Sequence, residues 1–96
     1  MATYISLCKW TQQGIEKVKD SPARLDAAKK AMKAAGADLK GFYLTTGRYD
    51  MVVLTEAPDE ATAAKAMLTV GQSGSVRSET FRAFTEDEYR KIIGSL

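Results

Sequence analysis

Four stretches of the chain alternate apolar and polar residues, and the segments between them carry apolar residues three or four apart. "ATYISLCKW" (2–10) is rich in β-branched and aromatic residues and too short for a free-standing helix, so it reads as a first strand. "DLKGFYLTT" (38–46), "YDMVVLTEA" (49–57) and "GSVRSETFRAF" (74–84) read as the second, third and fourth. Between the first two, "TQQGIEKVKD" offers a turn at Gly14 and one helical turn from Ile15 to Lys19. "SPARLDAAKKAMKAAG" then predicts a helix over 22–35: Ser21 caps it, Pro22 suits its first position, and Gly36 ends it in the left-handed conformation. "APDEATAAKAMLTVG" (57–71) gives another helix, with Pro58, Asp59 and Glu60 at its start. The tail "TEDEYRKIIGSL" gives a last one, capped by Thr85 with Glu88 three residues on and stopped at Gly94. Gly47 and Arg48 fit a two-residue type II′ hairpin between the middle strands, with a longer loop as the alternative.

The order βαββαβα predicts one α+β domain over residues 1–96, a ferredoxin-like βαββαβ with a C-terminal helix. Its four-stranded sheet is antiparallel, with two helices on one face. The first helix carries the stripe Leu25, Ala28, Met32 and Ala35, whose alanines allow close approach but contribute little burial at about 25 cal/mol per Å². Ile5, Leu7, Val52, Leu54, Phe81 and Ala83 are assigned to the core beneath the helices. Tyr4, Cys8, Trp10, Tyr49, Met51, Val53 and Phe84 then fall on the other face, among hydroxyls and one arginine. Aromatics with polar tips suit a surface that something covers, and a second copy of the same sheet is the expected cover.

Composition narrows the function. Fourteen basic against twelve acidic residues leave +2, too little for a phosphate-neutralising face, which argues against nucleic acid. No segment approaches the roughly 20 apolar residues of a membrane span, and the start of the chain lacks the basic and apolar regions of a signal peptide. A soluble, cytoplasmic protein is expected. Histidine is absent, which removes the usual base near neutrality, the commonest metal ligand and any histidine-held haem. No cofactor or metal is expected; Glu56, Asp59 and Glu60 are read as helix-end charges rather than ligands. The single cysteine, Cys8, reads as a buried thiol in a reducing compartment.

The candidate ligand-binding residues are Tyr4, Cys8, Trp10, Tyr49, Asp50, Thr80 and Arg82. Tyr49 and Asp50 point to opposite faces of one strand. Either Asp50 bonds turn amides while Tyr49 plugs a dimer seam, or Tyr49 reaches into a pocket while Asp50 holds Arg48, Arg77 or a helix end. Arg82 lies mid-strand and needs a partner: a carboxylate of a second subunit if structural, an anionic ligand if not. Trp10 with Thr11 to Gly14 can form a lid at a pocket mouth, and Gly71 to Gly74 reads as a plain turn.

"TTGRYDMVVLTEAPDEATAAKAM", with "YISLCKWTQQG" and "SPAR" before it and "GSVRSETFRAF" after it, resembles the GYD domain family along essentially the whole chain. Gly47, Tyr49 and Asp50 stand where the family's Gly, Tyr and Asp belong. The resemblance implies a dimeric α/β barrel, two ferredoxin-like protomers packed sheet to sheet, and brings no catalytic residue. The expected function is a small-molecule-binding or structural homodimer, or higher homo-oligomer, taking a small hydrophobic or anionic ligand. An enzyme resembling the cofactor-independent monooxygenases or isomerases of related barrels is one alternative, and an assembly or regulatory subunit is another.

Overall fold

The computed structural model describes residues 1–96. In chain order it has β1 (Ala2–Trp10), α1 (Gln12–Glu16), a 3-10 turn (Val18–Asp20), α2 (Ser21–Ala34), β2 (Asp38–Leu44), β3 (Met51–Ala57), α3 (Glu60–Gly71), β4 (Val76–Ala83) and α4 (Glu86–Gly94). The strands lie in the order β2-β3-β1-β4, antiparallel throughout. This is an α+β arrangement compatible with the ferredoxin-like fold expected from the sequence.

The helix ends follow local chemistry. The Gly36 N–H bonds the Lys33 carbonyl and the Ala37 N–H bonds that of Met32, with Gly36 at φ 98°, which closes α2 in a left-handed cap. Asp59 accepts the Thr62 N–H at 2.7 Å and starts α3; this backbone bond holds its carboxyl below the usual range. Thr85 and Glu88 bond each other's backbone N–H and start α4. The start of α2 departs from expectation: Asp20 stands at the cap without a side-chain bond, and Ser21 is already helical because the 3-10 turn runs directly into the helix.

Two further expectations change. Gly14 lies inside α1 rather than at a turn, because Thr11 caps that helix and the Ser75 carbonyl presses so closely against it that a Cβ would have no room. The β2–β3 connection is longer than two residues: Thr45 N–H bonds the Asp50 carbonyl at 2.8 Å and encloses Thr46–Tyr49. A type II′ turn needs positive φ at its first central residue, and Gly47 does not have it. A bulge at Lys40 places Leu39 and Phe42 on one face of β2, opposite Gly41 and Tyr43.

The largest correction concerns which face the helices cover. Tyr4 and Ala57 are buried in one cluster with Met32 of α2 and Ala63 and Ala66 of α3, Cys8, Met51 and Val53 form a second, and Ser6 and Thr55 on the same face are buried as well. The expected core set of Ile5, Leu7, Val52, Leu54, Phe81 and Ala83 alternates with them and occupies the uncovered face. The reason is size matching. Alanine-rich helices sit close to the sheet, so the strand residues beneath them are small hydroxyls plus a few long or aromatic side chains. Ser6 fits there by bonding Thr80 at 2.8 Å.

Candidate functional site

The helix layer does not fill the space above the sheet. At the end nearest α1 it encloses a cavity of about 340 Å³, within the range of about 300–1,000 Å³ typical of ligand pockets. Cys8, Phe42, Met51 and Val53 form the floor. Leu25, Ala28 and Met32 of α2 and Met67 and Val70 of α3 form the roof. The alanines that bring α2 close to the sheet elsewhere are too short to close this region.

Trp10 and the segment that follows it shape the rim. The Thr11 N–H bonds the Ser75 carbonyl at 3.0 Å and its hydroxyl bonds the Gly74 carbonyl, pinning α1 to the turn before β4. Gly74 adopts φ 77° in that turn, which favours glycine. Arg24 reaches from α2 and donates to the Lys17 and Gly14 carbonyls, both at 3.0 Å. The polar lining consists of Ser21, Arg24, Thr69, Ser73 and Ser75, without a carboxylate. Burial pushes the Cys8 thiol up to about 11, so it stays protonated at neutral pH.

The predicted site residues divide among three places. Cys8 and Trp10 line the cavity. Tyr4, Thr80 and Arg82 line a shallower depression beside α3. There Arg82 donates to Glu88 at 3.3 Å and to the Thr3 and Ala83 carbonyls, and its guanidinium lies 4.4 Å from the Phe84 ring centre. Its partner is thus a carboxylate of its own chain, which ties α4 to the sheet. Glu88 is held below its ordinary pKa by the Thr85 N–H first and by Arg82.

Tyr49 and Asp50 are the third place. The Asp50 carboxylate accepts the Trp10 N–H at 3.0 Å, and the Asp50 N–H bonds the Cys8 carbonyl at 2.8 Å, so the residue extends the sheet where the ladder would otherwise end. The Tyr49 hydroxyl donates to Glu79 at 3.0 Å, and Lys9 lies 5.7 Å from its ring centre. Glu79 pairs with Leu7 of the uncovered face. Its hydrogen bond and charge raise the Tyr49 pKa.

Sequence reading did not single out Arg24, Ser73, Ser75, Phe42 or Met67 as site residues. Leu25 and Met32 were visible as a helix stripe, but a stripe looks the same over a filled core as over a cavity. Two covered hydroxyls, Tyr4 Oη and Thr55 Oγ1, have no hydrogen-bond partner, although Tyr4 and Thr55 sit opposite each other on β1 and β3.

Comparisons with known proteins agree with this architecture. The family model described as GYD domain matches residues 4–93. A Thermus thermophilus protein named "Glutamine synthetase and cystathionine beta-lyase binding protein" is 34% identical over 84 residues, covering 86% of this chain and 88% of that one. A crystal structure of a Thermus thermophilus chain superposes with a TM-score of 0.56 at 24% identity, covering 88% of this chain and 95% of its own.

Proposed function

The chain belongs to the GYD domain family, and on that premise we propose that it is a homodimeric small-molecule-binding protein of the cytoplasm with no catalytic step of its own. The observation that carries this reading is the apolar cavity between α2, α3 and the sheet. Its lining supports binding over turnover, because no carboxylate borders it and the one thiol is protonated. A single buried thiol also suits a reducing compartment.

Self-association is supported by the uncovered face. Ile5, Leu7, Val52 and Leu54 are only half-buried there, and Phe81 and Tyr43 are 45% and 57% exposed. Lys9 and Arg77 lie at one end of this face with Glu79 beside them, and Glu56, paired with Lys40, lies at the other. A twofold copy of the same face is the closed arrangement that covers such apolar residues. Sedimentation velocity should give twice the 10.5 kDa protomer mass. Naphthalene and 1-decanol should raise the melting temperature, and Ala28→Leu, which extends into the cavity, should remove that shift. If neither compound moved the melting temperature of the wild type, the binding role would be lost.

A second reading, docking on a metabolic enzyme, has its own support. Helix α4 leaves Tyr89, Ile92 and Ile93 exposed on one stripe, and a relative is named for binding two enzymes. Immobilised wild-type protein should retain such an enzyme, and Ile92→Asp should release it.

A further inference from the structure

The cavity has a chemical polarity that names the class of its ligand; this step rests on the small-molecule-binding reading. Arg24 is the one charged side chain among the lining residues. Its two bonds go to backbone carbonyls, it forms no salt bridge, and an arginine fork carries more N–H donors than those bonds use. The first turn of α2 beside it contains no acidic residue, and the Asp20 side chain does not bond the helix start. Asp20 at the N-cap nonetheless offsets the positive end of that helix, so the positive charge at the rim is the guanidinium's own. Ser21, Thr69, Ser73 and Ser75 add hydroxyl-bearing residues to the lining. Away from them the walls are aliphatic, aromatic and thioether.

The geometry points to an amphiphile with one alkyl chain and a monoanionic head, a medium-chain carboxylate. The tail lies between Met32, Met67 and Val53, and the carboxylate meets Arg24 at the rim. A dianionic head fits less well, because the Gly14 and Lys17 carbonyls already flank the guanidinium and repel a second negative charge. A quaternary ammonium head would face Arg24 directly.

Isothermal titration of the folded wild type with hexanoate, octanoate and decanoate tests this. Affinity should rise about fourfold for each added methylene until the cavity is full. Decanoate should bind about tenfold tighter than 1-decanol, since a hydrogen bond to a charged group contributes more than a neutral one. Arg24→Gln should remove that tenfold advantage, weakening decanoate far more than decanol. Equal binding of decanoate and decanol, or tighter binding of decyl phosphate, would overturn the carboxylate assignment while the cavity stays a binding site. An equal loss for both ligands in Arg24→Gln would reduce Arg24 to a brace for α1, again overturning it. Absence of binding by every alkyl compound would instead remove the binding reading itself. The comparison of decanoate with decanol on the wild type decides the matter even if the variant does not fold.

Discussion

The two faces of the sheet solve different problems with different residues. The covered face mixes Tyr4, Met51 and Val53 with Ser6 and Thr55, all buried. The uncovered face is the more conventionally greasy one, with Ile5, Leu7, Val52, Leu54 and Phe81. What separates them is what each packs against. Alanine-rich helices demand small, polar-tolerant neighbours at close range and leave a cavity where they diverge. In the proposed dimer, a second sheet would accept branched aliphatic side chains that interdigitate. Hydrophobicity by itself therefore does not identify the helix-facing side.

The largest effect expected from this contrast is at Met32, which is 2% exposed beneath α2. Met32→Ala should cost about 2–5 kcal/mol, independent of protein concentration, because the lost contacts are within one protomer. Leu54→Ala on the other face should behave differently. If a second copy covers Leu54, the wild type gains stability as it is concentrated and the variant does not, so the gap between their melting temperatures widens with concentration. Melting curves across a hundredfold dilution series measure both. A concentration-independent gap for Leu54→Ala would break the comparison and leave the uncovered face without a twin.

Much of this architecture was legible in the chain. Strand alternation, the Thr85–Glu88 capping pair and the glycine that ends α2 are local signals, and each element they predicted is present. What was not legible was relational. Alternation splits β1 into Tyr4-Ser6-Cys8 and Ile5-Leu7 sets but does not say which set meets the helices. The Lys40 bulge shifts the faces of β2, and Gly41 beside it is a weak local sign that does not say which way the faces move. Candidate chemistry suffered for the same reason. Tyr4, Trp10, Tyr49 and Arg82 share aromatic or cationic character but occupy three separate places, while Arg24 enters the cavity rim from a helix whose pattern reads as solvent-facing at that position.

A smaller effect lies within the covered face. The Thr55 hydroxyl is buried without a partner, a burden of about 1–3 kcal/mol when nothing else satisfies it. Thr55→Val keeps the shape and removes the hydroxyl, so it should stabilise by about 1 kcal/mol and raise the melting temperature by about 4–8 °C. A fall instead would show that the hydroxyl holds an ordered water or a ligand group, which would make the covered face more site-like than its protein contacts indicate.

The smallest effect separates the faces by the cause of a pKa shift. Cys8 is raised by burial from 9.0 to about 11. Below pH 9 its thiol is protonated in both folded and unfolded chains and costs nothing. Between the two values the unfolded chain loses its proton first, so this contribution to stability falls as pH rises and is lost by about pH 11. Tyr49 is also raised, but by its hydrogen bond to Glu79 and that group's charge; its contribution has the same sign, present below its ordinary range and lost as pH climbs past the raised value. Salt distinguishes them, since it screens an exposed pair and leaves desolvation untouched. Denaturant titrations from pH 8 to 11 should show a flatter decline for Cys8→Ala, unchanged by ionic strength, and for Tyr49→Phe a flatter decline whose charge-derived part shrinks with salt while the part from the hydrogen bond to Glu79 remains. A Tyr49 difference that did not shrink at all between low and high salt would mean that the charge of Glu79 is shielded from the solvent, as a covering sheet would shield it, and would favour the twofold contact.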